Sequence, residues 1–264
     1  MTRFIVITGG KGGVGKTTTA VSLGCALSSL GKDVTVLDAN LTTPNVGIYL
    51  GSPVVPVHLH HVLQGKNHIS EAIYMHPSGT KIVPAGIGVD DMRKTNPMKL
   101  KQAIAGLRGL SDFVLVDSAA GLGRETMLAI ESCSEVLIVT NAEMSAIADA
   151  LKTIRVVQGM HKKILGVVVT RHRGKKDEVP IENVESLLEH KVIGIIPESE
   201  DVKESHALRD NVLFTHPKSK VSRRYRELAG KLSGVKVEAE EPESVVFDPK
   251  ESRFAKFLRV MGIH

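Results

Sequence analysis

A glycine-rich loop between an apolar strand and an amphipathic helix is the feature that most constrains how this chain can fold. The predicted strand Arg3–Thr8 runs directly into a loop in which residues 10–17 fit the pattern G-x4-G-K-T. Glycines let successive backbone N–H groups turn inward around a triphosphate, and the dipole of the following helix favours the same anion. The motif requires a strand before it and a helix after it, and both are present. The pattern therefore predicts a phosphate-binding loop.

Two side chains of the loop have predicted chemical roles. Lys16 is expected to reach the β- and γ-phosphates of a nucleotide, and the Thr17 hydroxyl is expected to ligate Mg²⁺. An ordinary glycine-rich turn is the plain alternative, but four glycines, the Lys-Thr pair and both flanks weigh strongly against it. We therefore expect ATP or ADP with Mg²⁺ as the cofactors.

Short β-branched runs alternate with longer amphipathic stretches up to about residue 235. The runs are apolar on both faces, which is typical of a parallel sheet covered by helices on both sides. The sequence therefore predicts an α/β fold with a doubly wound, mainly parallel sheet. The predicted strands are Arg3–Thr8, Asp33–Leu37, Lys81–Pro84, Phe113–Val116, Glu135–Thr140, Ile164–Thr170 and Val192–Ile196. The predicted helices are Thr17–Leu30, Pro97–Leu107, Arg124–Ser132, Ala146–Gln158, Ile181–Glu189 and Lys218–Leu232.

Composition argues against several other classes of protein. Of 264 residues, 42% are apolar and 24% charged, which excludes disordered and fibrous chains. Aromatic residues make up only 3%, fewer than base-stacking single-strand binders use. Cys25 and Cys133 cannot form a CxxC zinc or iron–sulfur site, and free thiols suit a reducing cytoplasm. The N-terminus leaves no room for a signal peptide and no apolar run is long enough to cross a bilayer, so we expect a cytoplasmic protein.

The charge pattern predicts a domain boundary near residue 235. Residues 216–231 carry six basic side chains and one acidic, whereas residues 237–251 carry six acidic and one basic. Two prolines interrupt the acidic stretch. We therefore expect one domain over residues 1–235, a flexible acidic linker over 236–250 and a short basic tail over 251–264.

A second lysine, Lys11, stands early in the loop, where an ordinary phosphate-binding loop does not need one. The run K-G-G-V-G-K-T-T resembles the deviant Walker A motif of the MinD/ParA family of P-loop ATPases, and MinD-like proteins of archaea and bacteria are the most similar branch. The resemblance implies an ATP hydrolase with the P-loop NTPase fold that forms a homodimer around two ATP molecules. In that dimer Lys11 would reach the partner's phosphates, like an arginine finger supplied in trans.

The resemblance covers nearly the whole chain. Residues 38–45, D-A-N-L-T-T-P-N, resemble the family's switch I, and residues 117–121, D-S-A-A-G, resemble its switch II. Asp117 would hold Mg²⁺ through water, Asp38 would support that water shell, and the Gly121 N–H would sense the γ-phosphate. Residues 140–143, T-N-A-E, resemble a turn near the dimer face, and two later segments resemble those that frame adenine.

The candidate residues follow from these motifs. The nucleotide-binding set is Gly10, Lys11, Gly12, Gly13, Val14, Gly15, Lys16, Thr17, Thr18, Gly121, Arg171, Pro197 and Glu198. The magnesium set is Thr17, Asp38 and Asp117, and the catalytic set is Lys11, Lys16, Asn40 and Asp117.

Three positions depart from the family pattern. Ala119 and Ala142 replace prolines, which we expect to alter conformation only mildly. Asn40 stands where the family usually has an aspartate that orients the attacking water. An amide can hold a water molecule but cannot accept its proton. We therefore expect slow ATP hydrolysis, whether the asparagine is natural or was introduced to trap the ATP state.

The last residues predict a basic amphipathic helix. Its apolar stripe consists of Phe254, Phe257, Leu258 and Met261, at helical spacing, with basic residues on the opposite face. This tail resembles the membrane-targeting helix of MinD, which implies peripheral binding to the anionic inner face of the cell membrane in the ATP state. A helix folded back on its own domain is the alternative.

The resemblance implies a positioning role, for a division site or a polar structure, with hydrolysis stimulated by a partner protein. One alternative is a ParA-like ATPase that binds DNA nonspecifically through the basic helix near residues 218–231. Another is an ATP-switched scaffold that barely hydrolyses ATP.

Three histidines, His58, His60 and His61, form the pattern H-x-H-H. No cysteine or carboxylate lies near them in the sequence to complete a metal site. We interpret them as part of a polar surface segment.

Overall fold

The computed structural model of the protein describes residues 1–52 and 54–237. These residues contain eight strands: β1 (Arg3–Thr8), β2 (Val34–Asp38), β3 (Tyr74–Met75), β4 (Lys81–Val83), β5 (Phe113–Asp117), β6 (Glu135–Asn141), β7 (Lys163–His172) and β8 (Val192–Pro197). The strands form one sheet with the order β3-β4-β2-β5-β1-β6-β7-β8. All neighbouring strands are parallel except β3 and β4.

Eleven α-helices occur in the part of the chain that the structure describes, with 3₁₀ turns at Ile69–Ala72 and Pro97–Lys99. They are α1 (Lys16–Ser29), α2 (Val46–Tyr49), α3 (Leu59–Gln64), α4 (Val89–Lys94), α5 (Leu100–Ala105), α6 (Arg124–Ser132), α7 (Met144–Gly159), α8 (Ile181–Leu188), α9 (Glu200–Ala207), α10 (Val212–Thr215) and α11 (Lys220–Ser233). No helix among the described residues is long and apolar enough to cross a membrane.

The sheet separates two apolar cores, because successive side chains of a strand point to opposite faces. In β1, Phe4 and Val6 pack on one face with apolar residues of α3, α5, α6, α7 and α8. Ile5 and Ile7 pack on the other face with residues of α1, α10 and α11. The predicted doubly wound α/β fold is confirmed.

Strand order places the phosphate loop at the middle of the sheet. The loop follows β1, which lies between β5 and β6. The connections after β1 lead to strands on both sides of it, so this is a switch point of an open parallel sheet. Such folds bind ligands beyond the carboxyl ends of the strands at a switch point.

The predicted strands and helices are found with ends shifted by a few residues. Pro97–Leu107 is divided into a 3₁₀ turn and the shorter helix α5. The sequence missed β3 and the helices α2, α3, α4, α9 and α10, which have two to eight residues. Segments of this length are too short for a hydrophobic period to stand out.

Two further expectations concern residues near the chain's end and the three histidines. Apart from its first two residues, the predicted linker 236–250 lies outside the described residues, as does the whole tail 251–264. The prediction of a polar surface segment at the histidines is wrong. His58 and His60 are buried, and Asp91 of α4 brings a carboxylate to His58 and His61.

Candidate nucleotide-binding site

The phosphate loop turns at positions that favour glycine. Gly13 and Gly15 have φ angles of 77° and 89°, in the left-handed region that costs other residues energy. Gly10 lies against α7, since a Cβ built on it would come within 2.3 Å of the Asp149 carbonyl oxygen. The loop therefore has the conformation that the motif predicts and is packed tightly against its neighbours.

Thr170, near the end of β7, makes a hydrogen bond to the phosphate loop. Its hydroxyl donates to the Val14 carbonyl oxygen at 2.6 Å and lies 3.1 Å from Oδ1 of Asn141. The sequence placed Thr170, with Arg171, in a segment that resembles one framing adenine, and it missed this contact. Its one signal was a polar residue at the end of a buried strand.

Lys16 is buried at the start of α1. Its Nζ atom donates to the Lys11 carbonyl oxygen at 3.1 Å, so the ammonium group lies inside the curve of the loop. Burial lowers the pKa of Lys16, and the nearby carboxylate of Asp117 opposes that shift. A desolvated cation in this position gains most from an anionic phosphate.

Two carboxylates lie side by side at the ends of β2 and β5, where Asp38 and Asp117 are register partners. Burial raises the pKa of both groups, and their mutual repulsion adds to the shift of Asp117. The Thr17 hydroxyl donates to Oδ2 of Asp117 at 2.6 Å, while Oδ1 is buried without a hydrogen-bond partner. The Thr17 hydroxyl and the Asp117 carboxylate, one oxygen of which has no hydrogen bond, are oxygen ligands of the kind that Mg²⁺ prefers. Thr17 and Asp117 would hold the ion, directly or through water.

Asp38 also organises the backbone of switch I. Its Oδ1 accepts from the Asn40 N–H at 3.1 Å, and its Oδ2 accepts from the N–H groups of Asn45 and Val46 at 2.8 and 2.9 Å. These bonds fix the start of α2. They direct the Asp38 carboxylate toward the backbone of switch I, although Asp38 lies beside Asp117 in the sheet. The predicted role in the water shell of Mg²⁺ stays a prediction.

Asn40 is buried, and both ends of its amide make hydrogen bonds inside switch I. Nδ2 donates to the Thr43 carbonyl oxygen at 2.6 Å, and Oδ1 accepts from both the N–H and the hydroxyl of Thr43 at 3.1 Å. The amide therefore closes a turn in this structure. An aspartate could accept the same two bonds but could not make the first one.

Lys11 projects from the rim of the loop and contacts the predicted dimer-face turn of its own chain. Its Nζ lies 3.2 Å from Oε2 of Glu143 and 3.0 Å from the hydroxyl of Ser145. The Lys11 and Glu143 side chains are 40% and 54% exposed, so solvent screens this pair strongly. Both groups are available for other contacts at little cost.

Switch II and the adjacent helix are tied to β1 and to switch I. The Ser118 N–H donates to the Ile7 carbonyl oxygen, and Gly121 has a φ of 75°. Glu125 of α6 accepts from the Leu41 N–H at 3.1 Å and from the Thr42 hydroxyl at 2.6 Å. The sequence missed Glu125, because nothing in its local pattern distinguishes it from an ordinary charge in the first turn of a helix.

The two segments predicted to frame adenine lie side by side, at the ends of β7 and β8. His172 is the register partner of Pro197, and the Glu198 N–H donates to the His172 carbonyl oxygen at 3.1 Å. Arg171 is exposed and has a φ of 53°. Their binding of adenine stays a prediction.

A phosphate-binding loop at the switch point of a parallel sheet, with two carboxylates beside it, defines a P-loop nucleotide-binding protein. Residues 5–212 match the CobQ/CobB/MinD/ParA nucleotide binding domain. The chain belongs to this family, which includes the MinD and ParA ATPases. The resemblance inferred from the loop is thereby confirmed.

Several relatives match over most of their length. An uncharacterized ATP-binding protein of Methanocaldococcus jannaschii is 36% identical, over 97% of this chain and 95% of the relative. The septum site-determining protein MinD of Thermotoga maritima is 32% identical, over 89% of each chain. The structure of MinD from Pyrococcus horikoshii complexed with Mg-ADP has a TM-score of 0.85 and 34% identity, over 90% of this chain and 99% of that one.

Proposed function

We propose that this protein is a MinD-like ATPase that hydrolyses ATP to ADP and phosphate and dimerises in the ATP state. The supporting observation is the position of Lys11. Its ammonium group is exposed at the rim of the phosphate loop, beside Glu143 and Ser145, and no tight pair holds it there. Lys16, whose expected role lies within its own site, is buried instead.

Each site residue then has a part in binding or hydrolysis. Lys16 and the loop N–H groups bind the phosphates, and Thr17 and Asp117 hold Mg²⁺, which neutralises charge on the transferred phosphoryl group. Asp38 supports the water shell of the ion, and the Gly121 N–H senses the γ-phosphate. Arg171, Pro197 and Glu198 frame the adenine, and hydrolysis is slow because the Asn40 amide cannot take a proton from water.

We propose that the chain consists of three segments. Residues 1–235 form the ATPase domain, residues 236–250 an acidic linker, and residues 251–264 a helix that binds the anionic inner face of the cell membrane. Burying four large apolar side chains gains about 6–10 kcal/mol gross. Ordering so short a helix costs much of that gain, so one tail binds weakly. Two tails in a dimer bind together, because the second insertion is intramolecular.

In the cell this cycle would place the protein in the cytoplasm and, in its ATP state, peripherally on the membrane. The septum site-determining relative supports a role in positioning a division site or another polar structure. A partner protein that stimulates hydrolysis would complete the cycle, since slow intrinsic turnover leaves release from the membrane under external control.

Vesicle co-sedimentation tests the proposal. The full chain, a chain ending at Lys250, and a full chain with Phe254→Ser and Phe257→Ser are compared in ATP and in ADP, using vesicles with and without anionic lipid. Only the unaltered full chain should pellet, more in ATP than in ADP, and only with anionic lipid. The double substitution keeps every tail charge, so its loss of binding separates insertion from simple attraction. Equal pelleting of the shortened chain would overturn the membrane role.

DNA is the second candidate partner, and one feature of α11 favours it. Lys218, Lys220 and Arg223 are exposed at the start of this helix. Two other basic residues of α11, Arg226 and Lys231, donate to the carbonyl oxygens of Pro217 and Ile193. They are therefore less available to bind DNA phosphates. Salt-sensitive DNA binding that survives removal of residues 251–264 would favour a ParA-like role.

A further inference from the structure

The histidines that precede and begin α3 fall into two groups by what they contact. His60 faces inward, where Nδ1 accepts from the Gly86 N–H at 2.9 Å and Nε2 donates to the Leu41 carbonyl oxygen at 3.0 Å. His58 and His61 contact each other, with their rings stacked at a centroid distance of 3.8 Å. The pair is therefore held together while His60 fills its hydrogen bonds elsewhere.

Asp91 of α4 completes a cluster with the stacked pair. Its Oδ2 lies 3.4 Å from Nε2 of His58, and its Oδ1 lies 3.7 Å from Nε2 of His61. Ligand atoms from the three residues all lie within 4.8 Å of one another, and no other group of three such side chains does so in the part of the chain that the structure describes.

These spacings suit an ion better than direct hydrogen bonds. A good N–H···O bond has a length of about 2.9 Å, shorter than either contact. Two ligands that are each about 2.0–2.1 Å from a tetrahedral ion stand about 3.3 Å apart. The contacts from Asp91 to both histidines are close to that value, so one ion between the three groups requires only small side-chain movements.

The surroundings of His58 prepare its ring to act as a ligand. Its Nε2 is the nitrogen that faces Asp91, while its Nδ1 is buried without a hydrogen-bond partner. Gly86 makes room, since a Cβ there would come within 2.4 Å of the ring.

Backbone contacts also fix the position of Asp91. Its carbonyl oxygen accepts from the Thr95 hydroxyl at 2.6 Å and from Nε2 of Gln64 at 3.2 Å, which ties α4 to α3. Oε1 of Gln64 is buried without a partner. The carboxylate is therefore held near the histidines by contacts independent of any ion.

We propose that His58, His61 and Asp91 bind one divalent transition-metal ion of the zinc class, with a fourth position open to solvent. Two imidazoles and one carboxylate are zinc-type ligands, whereas Mg²⁺ prefers oxygen ligands alone. The side chains of His61 and Asp91 are 23% and 27% exposed and that of His58 is 9% exposed, so the ion can enter from the His61 side. The site is separate from the magnesium site at Asp117.

The site lies next to switch I through His60. Nε2 of His60 donates to the Leu41 carbonyl oxygen, and the Glu125 carboxylate accepts from the Leu41 N–H. Both backbone polar groups of this residue of switch I are therefore hydrogen-bonded to side chains. An ion bound by His58 and His61, two residues before and one residue after His60 along the chain, would stiffen the segment that carries it. Metal binding should therefore slow hydrogen exchange of the Leu41 amide.

Metal titration of the full chain tests the proposal. Zn²⁺ is titrated against a chromophoric chelator with Mg²⁺ in large excess, so that oxygen sites are occupied, and Co²⁺ is used to record ligand-field absorption. The variants are His61→Asn and Asp91→Asn, both at half-buried positions. The matched control is His161→Asn, which removes an exposed histidine at a φ of 54°, a conformation that asparagine tolerates.

We expect one ion per chain, bound more than about tenfold more weakly by each cluster variant and unchanged in the control. The Co²⁺ spectrum should be that of a tetrahedral site with nitrogen ligands and should disappear in both cluster variants. Circular dichroism establishes that the variants are folded. Equal Zn²⁺ affinity in the unaltered chain and in the folded cluster variants would overturn the proposal, as would a chain that takes up no Zn²⁺ under these conditions.

Discussion

The Asn40 amide and the backbone of Thr43 hold each other across a tight turn in switch I. Nδ2 of Asn40 donates to the Thr43 carbonyl oxygen at 2.6 Å, and Oδ1 accepts from the Thr43 N–H at 3.1 Å. A residue expected to face the attacking water therefore stabilises a loop. Because these bonds direct the amide toward Thr43, we expect that the turn opens or that another group orients the water during hydrolysis.

Asn40→Asp should raise steady-state ATP hydrolysis and lower stability. The carboxylate cannot donate to the Thr43 carbonyl oxygen and is repelled by it, so the side chain becomes free to accept a proton from water. Loss of the bond should cost about 1–2 kcal/mol in the free energy of unfolding, measured by urea denaturation. Asn40→Ala loses the same bond without adding a base, so it should be destabilised with no gain in turnover. Unchanged hydrolysis in Asn40→Asp would count against the role of this position.

Asp117→Asn should stabilise the protein without nucleotide and abolish the effect of Mg²⁺ on nucleotide affinity. Burial and the neighbouring Asp38 raise the pKa of Asp117, so the folded chain keeps a proton that the unfolded chain has released. Between the ordinary carboxyl pKa and the raised pKa of about 8, the free energy of unfolding therefore falls as pH rises. The substitution should flatten that fall in thermal melts recorded at several pH values. Asp177→Asn, at an exposed position, is the matched control and should change neither property.

Lys11→Ala should prevent ATP-dependent dimerisation and leave the monomer stable. The side chain makes only exposed contacts with Glu143 and Ser145, so the free energy of unfolding should change by less than about 0.5 kcal/mol. Light scattering in ATP and in ADP measures the dimer. Lys152→Ala removes another exposed lysine, from α7, and should dimerise normally. A Lys11→Ala chain that still dimerises in ATP would contradict the proposed contact with the partner.

Gly10→Ala should disrupt the phosphate loop, whereas Gly12→Ala should leave the fold nearly unchanged. A Cβ on Gly10 would lie 2.3 Å from the backbone of Asp149, which cannot move without shifting α7. A Cβ on Gly12 would meet only the Ala120 side chain, at 3.9 Å. We expect a loss of about 1–3 kcal/mol for Gly10→Ala in chemical denaturation. Equal stability of the two variants would contradict the packing seen here.

Glu125→Gln should loosen switch I. The carboxylate accepts from the Leu41 N–H and the Thr42 hydroxyl, and an amide offers one acceptor oxygen where the carboxylate has two. The Leu41 amide should exchange its hydrogen faster, by about tenfold for a loss of 1.4 kcal/mol, as measured by hydrogen exchange with mass spectrometry. Glu131→Gln on the same helix is the control, since Glu131 pairs only at the surface with Lys101. Equal exchange at Leu41 in both variants would show that the contact with α6 does not restrain switch I.

Local sequence patterns predicted the larger elements well, because the signal for each element lies in residues that are adjacent along the chain. The strand, loop and helix over residues 3–29 follow from β-branched residues, glycines and a helical run in direct succession. The short antiparallel strand β3 could not be predicted in this way, because its two residues become a strand only by pairing with β4. The helix α3 was likewise missed, since six residues show no clear period.

The candidate site was predictable where a motif prescribes a backbone shape. Gly13 and Gly15 were identified from their spacing, and both have the positive φ angles that such a loop requires. Asp38 and Asp117 were identified at the ends of strands, and parallel pairing brings them together. Glu125 and Thr170 were not, because their contacts join elements far apart along the chain.

By itself, the sequence determined the phosphate loop, the parallel sheet and the membership in a family of nucleotide-binding ATPases. These depend on the order of neighbouring residues, which fixes local backbone conformation. Only the tertiary structure decided that the Asn40 amide makes hydrogen bonds to Thr43, that Lys11 pairs with Glu143, and that Asp91 lies beside His58 and His61. The partners in the last two contacts are distant along the chain, 132 residues apart in the case of Lys11 and Glu143. Packing of the elements chooses such partners, because a side chain satisfies its charge and hydrogen bonds with whatever the fold brings within reach.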